Sequence, residues 1–128
     1  KQIERFHGGI ASIHSCGDQT PVQKYMLELE TLPQFEISPW TKLDQTLSNV
    51  PASKRLAPFL HPNDVLMASP SEMEARLTHL VTALSGRPFA LTTSGLTPIW
   101  DDIGEFVGRV QTWVEVAERV FAPIRQAA

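Results

Sequence analysis

Four times in 128 residues a short β-prone run is followed, before the next such run, by a helix-start signal, and this alternation restricts the fold more than any other property of the chain. After Gly8-Gly9, Ile10 to His14 reads as a strand. Thr20-Pro21 then starts a helix, with the hydroxyl as N-cap and proline at the first helical position, and Val22, Tyr25, Met26 and Leu29 follow at helical spacing. Phe35 to Ser38 is the second strand, and Pro39-Trp40 leads into a modest helix that carries Leu43 and Leu47 and stops before Pro51. Leu56 to Leu60 is the third, weakened by Pro58, which removes a ladder donor. Ser69-Pro70-Ser71-Glu72 is a capping box with proline at its first turn; Met73, Leu77, Leu80, Val81 and Leu84 form the stripe behind it, and Gly86 is the stop. Phe89 to Thr93 is the fourth strand. Thr97-Pro98 opens a long last helix with Ile103, Phe106, Val107, Val110, Val114, Ala117 and Phe121 on one face.

Strands that alternate with helices imply a parallel sheet with helices covering it. Four units make either a small open sheet or half of an eight-unit barrel. The unusual residues gather just after each strand, at His14-Ser15-Cys16-Gly17-Asp18, Ser38-Pro39-Trp40, His61-Pro62-Asn63-Asp64 and Thr93-Ser94-Gly95, and in α/β proteins ligands bind at that end. The fold expected is therefore α/β, the C-terminal half of a (β/α)8 TIM barrel, with residues 1–128 as one partial domain. The chain begins at Lys1 and runs almost at once into Ile10-Ala11-Ser12-Ile13, which reads as a cut from something longer whose N-terminal half lies upstream. Four strands alone leave unpaired edges, so the segment is expected to associate with that half or to form a homo-oligomer.

Composition narrows the partners. Eleven Lys and Arg against 14 Asp and Glu leave no basic footprint for a phosphate backbone, so nucleic acid is not expected. No apolar stretch is long enough to span a bilayer and no signal sequence is visible, and one cysteine cannot make an internal disulfide. The setting these features suggest is cytoplasmic.

His14 and Cys16, two apart on an extended segment, project from the same face, and imidazole with thiolate is a good pair of zinc ligands. The bland reading is a buried thiol beside a hydrogen-bonded histidine. Glu36, on the next strand, could bind the metal, act as a base or pair with a lysine. His61 and Asn63 offer catalytic and substrate-binding groups at another strand end, against a reading as a proline turn with local hydrogen bonds. Trp40 could floor a pocket or only pack in the core, and Asp18 and Ser94 are further candidates for substrate contact. No glycine-rich phosphate loop is present, and Ser94-Gly95 lacks the flanks of a nucleophile elbow.

Ile13-His14-Ser15-Cys16-Gly17-Asp18, Phe35-Glu36-Ile37-Ser38, Ser69 to Glu74 and Gly86 to Pro98, in this order, resemble the C-terminal half of the uroporphyrinogen decarboxylase superfamily, over nearly the whole chain. Within it the sequence is most similar to the zinc-dependent methyltransferases of corrinoid systems. The resemblance implies a (β/α)8 barrel in which His14 and Cys16 are two ligands of a zinc ion that activates a thiol for methylation. The related cobalamin-independent methionine synthases imply Glu36 as a further ligand. Where the family has a second cysteine this chain has Ser94-Gly95, so either another group completes the site or the acceptor reacts without zinc. The function expected on this basis is methyl transfer between a corrinoid or methylated donor, with a corrinoid protein as partner, and a small acceptor such as a thiol. The alternatives are uroporphyrinogen decarboxylation, and a non-catalytic barrel remnant that acts in assembly.

Overall fold

The strand signals around Phe35 and Leu56 become β1 (Gln34–Ile37) and β2 (Arg55–Leu60), each starting one residue earlier than the apolar pattern suggests. They pair in parallel, with Phe35 opposite Leu56 and Glu36 opposite Ala57. The two-residue period turns Phe35, Ile37, Leu56 and Leu60 to one face, where none is more than 6% exposed. The other face carries Glu36, Ala57 and Phe59, and this face holds the site described below. The computed structural model describes residues 2–93 and 95–127, and these form a mixed α/β chain with a three-stranded sheet in the order β1-β2-β3, where β3 is Thr92–Thr93. Two compact units are recognisable: Lys1–Leu60 with Gly86–Thr92, and His61–Ser85 with Thr93–Ala128.

The effect of Pro58 is visible in the ladder. Leu56 donates its N–H to the Pro88 carbonyl and accepts from Ala90 N–H, so it bonds toward the segment leading to β3, and Pro58, two residues on, faces the same edge. Proline has no N–H to give there. Pairing is accordingly interrupted between an isolated bridge, Leu56 with Phe89, and the two residues of β3. The single run expected over 89–93 is thus split by a missing donor on the neighbouring strand.

The segment expected as the first strand, Ile10 to His14, forms no ladder among the described residues. Its backbone is tied to a side chain instead: Ile10 N–H donates to Thr31 Oγ1, and the same threonine is held by Glu4, whose carboxylate accepts from both Thr31 N–H and its hydroxyl. These bonds keep the Glu4 carboxyl below its ordinary range. Glu4 lies on α1 (Gln2–His7), a helix the apolar pattern did not announce. Apolar residues alone do not make a strand; a neighbouring edge must supply the hydrogen bonds.

The helix expected from Thr20 is shorter and begins differently. Thr20–Val22 is a 3-10 turn with Gln19 as its N-cap, followed by α2 (Gln23–Met26). Thr20 is inside the turn, so its hydroxyl is not the cap; it accepts from Lys42 N–H at 3.1 Å. α3 (Leu43–Asn49) stops before Pro51 as its pattern suggests. A buried polar network joins the two helices: Gln23 Nε2 donates to Thr46 Oγ1 at 2.6 Å, Gln23 Oε1 accepts from Asn49 Nδ2 at 3.1 Å, and the Thr46 hydroxyl donates to the Lys42 carbonyl.

In the second unit α4 (Pro62–Leu66) and α5 (Pro70–Ala83) pack against α6 (Ile103–Ala127). Both bonds of the capping box at Ser69 and Glu72 form, and Gly86 adopts φ +83°, a conformation few side-chain-bearing residues accept. Met73, Leu77, Val65, Leu84 and Val116 make the core of this unit, each at most 1% exposed. Arg109 reaches from α6 to donate to the carbonyl of Leu66, the last residue of α4, and to that of Ala68 beyond it. α6 starts at Ile103 rather than at Thr97-Pro98, because Asp102 Oδ1 accepts Gly104 N–H at 2.7 Å and supplies the cap. Among the described residues no helix is long and apolar enough to cross a membrane.

Candidate functional site

His14 is the centre of the site. Its Nε2 lies 3.3 Å from Cys16 Sγ and its Nδ1 lies 3.0 Å from Glu36 Oε2 on β1. A carboxylate can only accept, so the proton of the neutral ring belongs on Nδ1, and Nε2 offers its lone pair to the thiol. The ring also meets Phe59 of β2 edge to face, with centroids 5.3 Å apart. Glu36 and Phe59 share one face of the sheet because Glu36 is registered with Ala57, two residues before Phe59. The imidazole therefore rests on two adjacent strands, with a carboxylate fixing one edge and an aromatic ring fixing its tilt. Glu36 is only 12% exposed at its side chain, against 53% for His14. A carboxylate so far withdrawn from water needs the partner that His14 supplies.

The loop that carries Cys16 is stitched to the loop after β1. Ser38 Oγ donates to the Gly17 carbonyl at 2.6 Å, so the Thr41 hydroxyl, 2.9 Å from Ser38 Oγ, donates to it in turn. Thr41 Oγ1 then accepts from Gln19 N–H at 3.1 Å, closing a chain of bonds in which every hydroxyl both gives and receives. Gln19, Ser38 and Thr41 are all buried. Gln19 Nε2 adds a bond to the Ser15 carbonyl, one residue before Cys16. Of these residues the sequence marks only Ser38, as part of the cluster after the second strand, and gives no role to Gln19 or Thr41. The only signal available was a Ser-x-x-Thr pattern at a strand end, where hydroxyls commonly bond the backbone.

The remaining candidates are distributed as follows. Asp18 accepts from Thr20 N–H at 2.9 Å; its bonds to Thr20, with a smaller contribution from Lys42, hold its carboxyl below the ordinary range, so it is a turn-forming group exposed at the edge of the site. Trp40 is 56% exposed in the turn between Ser38 and Thr41, which makes it a surface aromatic and not core packing. His61 and Asn63 lie in the second unit, where His61 is the N-cap of α4 and its Nδ1 accepts Asn63 N–H at 3.1 Å. The segment expected as a proline turn is thus a helix start with Pro62 in its first turn, and the neighbouring Asp64 is engaged by Arg76. Ser94 lies outside the described residues.

His14, Cys16 and Glu36 are brought together, but not around one point. Cys16 and Glu36 meet opposite edges of the ring, so a metal bound at Nε2 and Sγ has Glu36 behind the imidazole. Among the described residues no group of three or more His, Cys, Asp or Glu side chains converges to hold a metal ion. No protein-family model, curated protein or solved structure matches the chain.

Proposed function

We propose that the chain is the thiol-handling part of a methyltransferase of the uroporphyrinogen decarboxylase-like kind, in which His14 and Cys16 hold a zinc ion and a methyl group passes from a corrinoid or methylated donor to a small thiol. On this reading the parallel strands β1 and β2 with β3 belong to one half of a (β/α)8 barrel, with the segment from Ile10 to His14 outside the ladder, and the face bearing Glu36 and Phe59 looks into the barrel. The observation that carries the proposal is the imidazole held between Cys16 and Glu36. Two donors of one tetrahedral zinc, at about 2.0 Å for nitrogen and 2.3 Å for sulfur, lie about 3.5 Å apart; Nε2 and Sγ stand at 3.3 Å, within a small side-chain adjustment of that spacing. Zinc-bound histidines give their other ring N–H to a carboxylate, a backbone carbonyl or a water, which orients the ring and raises its basicity, and Glu36 on Nδ1 would fill that place.

Bound zinc would supply a Lewis acid that keeps an acceptor thiol deprotonated at neutral pH. The protein's own share is positional. Glu36 sets the tautomer of His14, Phe59 holds the ring plane, and the Ser38–Thr41 chain fixes the Cys16 loop. Trp40, exposed on the stitched loop, offers an aromatic face to a substrate, and Asp18 offers an acceptor.

Zinc uptake and methyl transfer test the proposal together. The chain should take up one zinc; Cys16→Ala and His14→Ala should abolish uptake, and Glu36→Gln should weaken it about 10- to 100-fold. Loss of the methyl group from methylcobalamin to a small thiol should follow zinc occupancy. Failure to take up zinc, or methyl transfer undiminished in Cys16→Ala, refutes the reading.

A second reading is favoured by the placement of Glu36. Without metal, thiol, imidazole and carboxylate stand in the order of a cysteine nucleophile, its base and the group that orients the base. Cys16 would then attack an acyl carbon while His14 takes the thiol proton and returns it to the leaving group. Activity toward an activated ester that persists with a chelator and disappears in Cys16→Ser distinguishes this from the zinc reading.

A further inference from the structure

The last helix carries an apolar seam that its own unit does not cover. Ile103, Val107, Val110, Val114 and Ala117 follow one another at alternating steps of four and three residues, the 3.5-residue period of helices that pack along their length against another helix. The buried side of α6, centred on Val116 and on Arg109 bound to the α4 carbonyls, is turned toward α4 and α5. The seam is turned away: Ile103 is 61% exposed, Val107 44% and Val114 42%. Four residues one turn apart, Val110, Gln111, Val114 and Glu115, line an open concavity of about 390 Å³ beside it.

We infer that this seam docks an amphipathic helix with basic flanks. The charge of the rim selects the occupant. On the outer side, following Val107 and Val114 by one turn, stand Gln111 and Glu118, with Glu115 next to them, all exposed. Neither Glu115 nor Glu118 is in an ion pair among the described residues. Of the arginines on this helix, Arg109 donates to the Leu66 and Ala68 carbonyls and Arg119 pairs with Glu74. A partner helix with leucine or isoleucine at 3–4 spacing and lysine or arginine alongside therefore meets both the apolar stripe and unpaired carboxylates. A second copy packed antiparallel would bring Gln111 and not a cation to Glu118, and an anionic membrane would be repelled by the same rim.

The test uses the full chain and two synthetic helical peptides, an idealised leucine heptad peptide with lysine on its flanks and the same peptide with glutamate for lysine, read by fluorescence anisotropy. The lysine peptide should bind, less tightly as salt rises, and the glutamate peptide should not. Val107→Ser with Val114→Ser should weaken the lysine peptide about tenfold or more, since two side chains lose their apolar contact. Glu115→Gln with Glu118→Gln should weaken it severalfold and flatten the salt dependence. Both pairs are exposed, so the variants should keep the circular dichroism of the parent. The inference is overturned if the lysine peptide does not bind, if the glutamate peptide binds as well, if the valine variant binds equally, or if the chain alone self-associates through this face and the valine variant does not.

Discussion

Replacing Thr46 by valine should cost about 1–2 kcal/mol of stability, although the two side chains have nearly the same shape. Thr46 is fully buried and Gln23 is 2% exposed, and their 2.6 Å bond is the acceptor for one Gln23 amide proton. Valine leaves that proton in the interior with nothing to accept it, a loss of about 1–3 kcal/mol, offset by less than about 1 kcal/mol from the added methyl group. The Lys42 carbonyl is not orphaned by the change, since Thr46 N–H also donates to it, at 2.9 Å. In urea, with a slope of about 1.5 kcal/mol/M, the midpoint should fall by about 0.7–1.3 M at unchanged slope. Gln23→Met should be destabilising as well, and the double variant should lose less than the sum of the two, because removing both polar partners leaves less unsatisfied than removing one. Strictly additive losses, or a neutral Thr46→Val, would mean that the bond is open to water and that α2 and α3 are not joined as described. The network matters to the site because α2 follows the Cys16 loop and α3 follows the loop it is stitched to.

Three further predictions concern caps, turns and pH. Ser69→Ala should destabilise the chain by about 1 kcal/mol through loss of the α5 cap, and should raise the Glu72 carboxyl only part of the way toward its ordinary value, because the hydroxyl bond is lost while the larger cause of the lowering, the bond from the backbone N–H of residue 69, stays; an NMR titration of the Glu72 carboxyl in both proteins measures the shift. Asp18 is likewise held low by Thr20, so the stability it contributes is complete above its unfolded carboxylate range and is lost as pH falls through its lowered value. Asp18→Asn should remove that acid-side dependence, seen as a smaller drop in urea midpoint between pH 6 and pH 3. Gly86→Ala should cost about 1–2 kcal/mol at φ +83° with nothing within 4 Å of the added methyl group, a purely conformational penalty that a urea midpoint reports.

What could be read directly from the chain was the information that is local. The capping box at Ser69, the glycine stop at Gly86, the proline end of α3, the alternation of β1 and the short apolar run of β2 each depend on residues within one turn or one strand of each other, and each formed within a residue or so of its signal. His14 and Cys16 do lie together, Nε2 3.3 Å from Sγ, but where the chain bends at Cys16 and not along a strand. Tertiary structure decided the rest. Whether Ile10 to His14 is a strand depends on a neighbouring edge, and Thr31 took its backbone bond instead. How far β3 extends depends on Pro58, more than thirty residues away. That Glu36 addresses Nδ1 from behind the ring, instead of joining Cys16 at Nε2, follows from the register of β1 against β2 and from Phe59 at the ring's edge. Sequence spacing determines which residue types are available on a segment; the directions in which they meet are set by contacts between segments, which no local pattern encodes.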